Sequence, residues 1–282
     1  MIRASTLPPA TTRITTIGPS GASMFEKIAE YRQYRTLFFF LTLRDITLRY
    51  RQTLLGVLWA VLQPILPMLV FTVVFARVLR PETGPVPYSL FALSGLVPWM
   101  FFANAINTAG STFTANHNLL NKVYFPRAIL PGAAVAAAVV DLFAGEVFLL
   151  GMVLWQGYRP TEAWLWLPVI ALLMAFLALA VGLALASLMA LYRDVKHVLP
   201  FLIQLWMYAT PVVYPVTLLS SRFRWAVNLN PMAGVVEAGR SCLFGTPVNW
   251  TMLAVSGTSA VLISGAAALL FHHLERDLAE RV

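Results

Sequence analysis

Residues 54–76 run 23 positions without a charged side chain. A helix rises about 1.5 Å per residue, so this stretch reaches roughly 35 Å, enough to cross the hydrocarbon of a bilayer. Lipid offers no partner to backbone amides and carbonyls, which restricts a crossing chain to helices or a closed barrel. The apolar runs here are continuous rather than alternating, and that excludes a barrel. Hydrophobic residues make up 59% of the chain and charged residues 11%, against about a quarter charged in a soluble domain. The fold class is all-α integral membrane.

Six transmembrane helices are predicted, at about 54–77, 88–113, 129–156, 164–190, 198–214 and 250–271. The connection 80–87 is short and proline-rich, 156–162 is short, and 215–249 is longer and semi-polar. Six crossings put both termini on one side, and Lys and Arg choose which. With the termini cytoplasmic, fourteen of the basic residues lie inside and six outside. The N- and C-termini are therefore expected in the cytoplasm, residues 1–23 as a disordered tail and 273–282 as a second tail, with the membrane domain over 53–272. The net charge of +8 is accounted for by topology and anionic lipid. No long basic stripe lies outside the spans, so nucleic acid is not a predicted partner.

Residues 24–52 are charged and aromatic, then apolar for seven residues (37–43), then basic over 44–51. Seven residues cannot span. The pattern reads as two short helices at the cytoplasmic interface, with arginines available to lipid phosphates.

Several stretches carry candidate chemistry. Gln63-Pro64 and Pro67 bend the first span, either as a structural kink or to line a pathway. Residues 116–127 face the cytoplasm with Leu119, Leu120, Val123 and Tyr124 at helical spacing between basic flanks, which suits docking of another protein or rest on lipid headgroups. Asp141 and Glu146 lie in the third span. Intramembrane acids are functional candidates, but five residues apart they point about 140° apart and make no paired site. Asp141 is expected to hydrogen-bond between helices, with a proton relay as the other reading. Arg193 and Asp194 cap or pair at helix ends, or lie in a solvated turn. Gln204, Trp206, Tyr208 and Tyr214 form an interfacial belt, or else flat faces for a sugar chain. Pro231 marks a helix start and Gly245 a stop, and Glu237 and Arg240, three apart, can pair on one face. That helix is too short and polar to span, so it dips into the outer face and returns. The single cysteine, Cys242, excludes an internal disulfide. His272 and His273 are adjacent and point to different faces, which suits an interface better than a metal.

No G-x-x-x-x-G-K-[ST] occurs, and none of Lys27, Lys122 and Lys196 follows a glycine. This chain is no ATPase by that route, and ATP and Mg would belong to another subunit. An integral membrane enzyme acting on lipid-linked sugars would need clustered acids or histidines, which are missing. Asp141 keeps an ion-coupled carrier as an alternative. A neighbouring reading frame encoding an ATPase would separate these readings.

Five blocks in order resemble the ATP-binding-cassette polysaccharide export permeases. They are Arg49-Tyr50-Arg51-Gln52-Thr53-Leu54-Leu55-Gly56 with Gln63-Pro64, Gly95-Leu96-Val97-Pro98-Trp99, Lys122-Val123-Tyr124-Phe125-Pro126-Arg127, Tyr192-Arg193-Asp194-Val195 through Thr210-Pro211-Val212-Val213-Tyr214-Pro215, and Asn230-Pro231 with Arg240. The likeness covers about 30–275 and is nearest to the O-antigen permeases, with capsule and teichoic-acid permeases beside them. It implies a homodimer in the bacterial inner membrane, joined to two copies of a nucleotide-binding ATPase. Asn118, Leu119, Asn121, Lys122, Tyr124, Phe125 and Arg127 would belong to a coupling helix seated in that ATPase, residues 24–52 to an interface helix, and 216–245, with Glu237 and Arg240, to outer-face gate helices. The substrate it implies is a glycan on undecaprenyl pyrophosphate. Arg44, Arg49 and Arg51 are then candidates to receive the pyrophosphate at the mouth of the first span. Trp59, Trp99, Phe101, Trp206, Tyr208 and Tyr214 are candidates to contact the sugars.

Overall fold

The computed structural model describes residues 32–51, 53–56, 58–79 and 85–281. The predicted tail 1–23, the first part of the 24–52 segment and much of the 80–87 connection lie outside them. Among the described residues there are only helices and their connections. They are α1 (Arg35–Tyr50), α2 (Leu58–Phe71, continuing in a wider winding over Thr72–Leu79), α3 (Tyr88–Gly110), α4 (Thr112–Ala115), α5 (His117–Lys122), α6 (Ile129–Trp155), α7 (Leu167–Leu191, entered through a tight turn at Glu162–Trp166), α8 (Val195–Ala209), α9 (Ser221–Asn228), α10 (Pro231–Phe244) and α11 (Trp250–Arg281).

Five of these are long and apolar enough to cross a membrane: Leu58–Phe75, Tyr88–Gly110, Ile129–Trp155, Glu162–Leu191 and Trp250–Leu274. They overlap five of the six predicted spans. The remaining one, predicted at 198–214, is α8, a helix of 15 residues that reaches roughly 22 Å against about 30 Å of hydrocarbon. The chain leaves the helix at Thr210, whose ψ of 136° is extended, because the pyrrolidine of Pro211 disfavours helical backbone in the residue before it.

The centre of the molecule is α3, which packs on α2, α6, α7 and α10. Leu90, Leu93, Phe102, Ala105 and Ile106 have essentially no exposure. Helices in lipid gain little from hiding apolar surface and instead pack through small residues that let backbones approach. A Cβ at Gly182 of α7 would stand 2.6 Å from the Cβ of Ala109 in α3, and one at Gly145 of α6 would stand 3.0 Å from Val97. By contrast α2 and α8 leave much of their apolar surface uncovered, including Trp59, Leu66, Leu69, Val70, Phe201, Leu202 and Leu205.

The segment from Arg35 to Tyr50 is one continuous helix that begins after a turn at Tyr34, and the rest of the predicted two-helix segment 24–52 lies largely outside the described residues. Tyr34 donates to the carbonyl of Tyr124, Phe38 abuts Gly132, Leu41 joins Ile129, Leu130 and Ala133 in a buried cluster, and Arg49 and Tyr50 meet Asp141. These contacts advance together along both chains, so α1 runs beside the first half of α6 in the same direction. Its charged end reaches the middle of that helix because a carboxylate waits there.

Candidate functional site

Asp141 sits on α6 facing a cleft between α2, α3 and α6, lined among others by Gln63, Pro64, Phe101 and Asn104. Its carboxylate accepts from three donors on two elements: the Arg49 guanidinium and the Tyr50 hydroxyl of α1, and Asn104 Nδ2 of α3 at 3.0 Å. Burial, and then the hydrogen bond to Asp141, push the Tyr50 phenol well above its usual range, so it remains a donor throughout physiological pH. Arg44 pairs with its neighbour Asp45 at 2.9 Å. Arg51, at the end of α1, is exposed. The three arginines grouped by sequence are thus divided: one is held by Asp141, one pairs with Asp45 while its side chain stays 39% exposed, and one faces outward. Tyr50 and Asn104 complete the Asp141 site and were not singled out in the sequence. An amide inside an apolar span is the signal that marks Asn104.

A second polar centre lies around Arg240. This side chain is 3% exposed. It donates to the carbonyls of Pro211 at 2.7 Å and Phe91 at 3.2 Å, and to Val212, with Ser94 Oγ at 3.3 Å. Its guanidinium lies 3.7 Å from the ring centroid of Phe91. Glu237, the partner expected from the spacing, is 3.4 Å away. Burial lowers the Arg240 pKa to about 10, which leaves it charged at neutral pH. The residue therefore ties α10 to α3 and to the backbone after α8, with Glu237 at the margin. Asn230 extends the tie. Its side chain accepts from Met232 N at 3.1 Å, capping α10, and from Trp206 Nε1 at 3.0 Å, and it donates to Thr210 Oγ1 at 2.8 Å. Sequence reasoning saw Asn230 only as part of a motif.

The aromatic candidates separate by exposure. Trp99 and Phe101 are buried within α3's packing. Trp99 and Phe102 meet Trp206 edge to face, with centroids 6.3 Å and 5.1 Å from it. Tyr214 is half-buried and donates to the carbonyl of Tyr208 at 2.9 Å. Trp59 and Tyr208, at 42% and 54% exposed, present the open faces.

The connection between α3 and α6 likewise has an inside and an outside. Phe125 is buried with Leu41, Phe113 and Ile129, and Leu119 and Leu120 pack against that cluster. Asn118, Asn121, Lys122, Val123 and Tyr124 are exposed, and Arg127 is half-buried. The apolar side of α5 turns inward, so what it offers outside is polar and basic, with Val123 and Tyr124 beside it.

Residues 36–244 match the family described as ABC-2 type transporter. The chain belongs to this family. As an ABC-2 type transporter chain it is 30% identical over 263 residues to the O-antigen export system permease protein RfbA of Myxococcus xanthus, covering 92% of this chain and 100% of that protein. It is 25% identical over 241 residues to the protein of the same name from Klebsiella pneumoniae, covering 85% and 92%. Against the polysialic acid transport protein KpsM of Escherichia coli it is 25% identical over 209 residues, covering 72% and 79%. With five helices suited to crossing a bilayer, this ABC-2 chain is a multi-pass membrane protein related to polysaccharide export permeases.

Proposed function

We propose that this chain is the permease subunit of an ATP-driven exporter that carries an undecaprenyl-pyrophosphate-linked polysaccharide across the bacterial inner membrane, from the cytoplasmic to the outer face. The observation that carries this reading is the alignment with export permeases over 92% of the chain. Two copies of the chain would face each other across their uncovered helices α2 and α8, and two copies of a separate ATPase would supply ATP hydrolysis. In this reading the short α8, with the buried segment that follows it, completes a sixth crossing, α9 and α10 return into the outer face, and both termini are cytoplasmic.

The site residues take roles by exposure. Asn118, Asn121, Lys122, Val123 and Tyr124 form the surface that meets the ATPase, while Phe125 anchors it to the membrane domain. Arg51 and Arg44 receive the pyrophosphate; an arginine fork suits phosphate oxygens. Trp59 and Tyr208 contact the sugars, while Tyr214 holds the Tyr208 backbone and Trp99 and Phe101 belong to the packed interior.

The test is co-expression with a nucleotide-binding ATPase subunit from the same cell, purification of the complex and reconstitution into vesicles loaded with the parent cell's lipid-linked glycan. ATP-dependent movement of that glycan to the opposite leaflet is expected. A permease that binds no ATPase, or moves glycan without ATP, would overturn the proposal. In the same assay Arg44→Gln with Arg51→Gln should lower transport at least ten-fold with the complex intact, and unchanged transport would remove the phosphate role.

A further inference from the structure

The Asp141 cluster stands where α1 turns into α2. Arg49 and Tyr50 are the last residues before the α1–α2 connection, in which Gly56 adopts a left-handed φ of 54°. The cleft beside Asp141 separates α2, through Ala60, Gln63 and Pro64, from α3 and α6. Among the described residues α1 otherwise rests near its start, on the Tyr34 hydrogen bond, Phe38 and the Leu41 cluster, and within Leu58–Phe71 the buried residues are Ala60, Pro64 and Met68. A movement of α2 that widens this cleft pulls on the end of α1 through the short connection between them. A charge pair half-way along an apolar helix resists that strongly, since separation leaves both charges poorly solvated. Tyr50 and Asn104 are neutral donors, so the grip depends on charge at one contact only.

We infer that Asp141 is a positioning residue for transport: it holds Arg49 and Tyr50, and through them α1 and α2, against α3 and α6 in the resting conformation, and the cleft beside α2 opens when this grip is released. The inference rests on the export reading for its functional consequence and on geometry alone for the grip. Nothing in it requires Asp141 to carry a proton or to touch the glycan.

The test uses the full chain with its ATPase in vesicles, measuring ATP hydrolysis without glycan. Asp141→Asn keeps the shape but removes the charge; its amide oxygen can still accept from Asn104, and its NH2 turns to donate to the Tyr50 hydroxyl oxygen. Basal hydrolysis should rise at least three-fold, and the exchanged pair Arg49→Asp with Asp141→Arg should return it to within two-fold of wild type. A merely structural role predicts no gain of activity and no rescue. Basal hydrolysis unchanged in Asp141→Asn, or as altered in the exchanged pair as in either single variant, would overturn the inference. Where a variant fails to assemble, labelling of the cleft decides. Ala60 lines the cleft and is 7% exposed, so in the permease alone Ala60→Cys, in a Cys242→Ser background, should react with a water-soluble maleimide at least three-fold faster when Asp141→Asn is added, and an unchanged rate would refute the grip. A wild-type complex that does not hydrolyse ATP would instead refute the export reading, while this last measurement still judges the grip.

Discussion

Arg240 and Glu237 make a sharp case for measuring what a buried guanidinium does. If the pair acts as an ion pair, removing either member should cost about the same. The geometry predicts otherwise. Arg240→Met removes charge-assisted hydrogen bonds to the carbonyls of Pro211, Val212 and Phe91, each worth about 1.5–3 kcal/mol. Several kcal/mol return because a cation no longer has to be buried, which leaves a net loss of about 3–5 kcal/mol. Glu237 is 34% exposed on its side chain and 3.4 Å from the guanidinium, so Glu237→Gln should cost at most about 1 kcal/mol; the carbonyls and the Phe91 face still hold the cation. With roughly 2–4 °C per kcal/mol for a chain of this size, thermal unfolding of the detergent-purified protein, followed by tryptophan fluorescence, should fall by at least about 6 °C for Arg240→Met. For Glu237→Gln the fall should be no more than about 4 °C. Arg240→Lys should lie near the methionine variant, because one ammonium cannot reach three carbonyls set around a planar fork. Equal falls for the Glu237 and Arg240 variants, or a Lys variant as stable as wild type, would refute the argument and restore the simple ion pair.

Asn230→Ala removes the α10 cap and the acceptor for Trp206, and should destabilise by about 1–2 kcal/mol with a red shift in tryptophan emission as Trp206 loosens. Asn118→Ala with Lys122→Glu should abolish co-purification of the ATPase while leaving the melting temperature unchanged, whereas Phe125→Ala should cost about 3–5 kcal/mol; the melting curve of each variant beside a pull-down distinguishes surface from anchor. Gly182→Ala drives a methyl into Ala109 and should cost about 1–3 kcal/mol. Gly239→Ala, where a Cβ meets nothing within 4 Å, should gain about 0.5–1 kcal/mol from helix propensity.

The sequence shows most plainly the features whose cause is local. Asn230, Pro231 and Gly245 bound α10 because a side-chain oxygen takes the free Met232 N–H, the ring fixes φ, and Gly245 accepts a left-handed φ of 67°. Long apolar runs mark the five long spans for the same reason, since each helix satisfies its own backbone. What escapes such reading is pairing at a distance. Arg49 and Asp141 are 92 positions apart. Counting positive charge places the first among cytoplasmic residues, and hydropathy places the second within a span, so neither statistic brings them together. The aromatic residues fail similarly. Trp99 and Tyr208 look alike in composition, and only packing decides that one fills the core and the other faces outward.

The end of α8 shows why the two polar centres belong to the fold rather than decorating it. Hydropathy continues through Pro211, Val212 and Val213, yet the helix stops at Ala209, and Thr210 and Val212 are fully buried. Buried non-helical backbone leaves carbonyls that the helix cannot satisfy, at a cost of a few kcal/mol each. Here the carbonyls of Pro211 and Val212 accept from Arg240, and that of Val213 accepts from the Tyr88 hydroxyl at 2.8 Å. Thr210 is held by Asn230. The break in α8 therefore requires α10 to stand beside it, and α10 can bury a guanidinium because the break, together with Phe91 and Ser94 of α3, supplies acceptors. Gly95 of α3 gives the room, since any Cβ there would run into the Val212 carbonyl. Loss of any one of Gly95, Arg240 and the Thr210–Pro211 bend removes the reason for the other two, so substitutions at these positions should be strongly non-additive in the melting assay, with a Gly95→Ala and Arg240→Met double variant little worse than either single one.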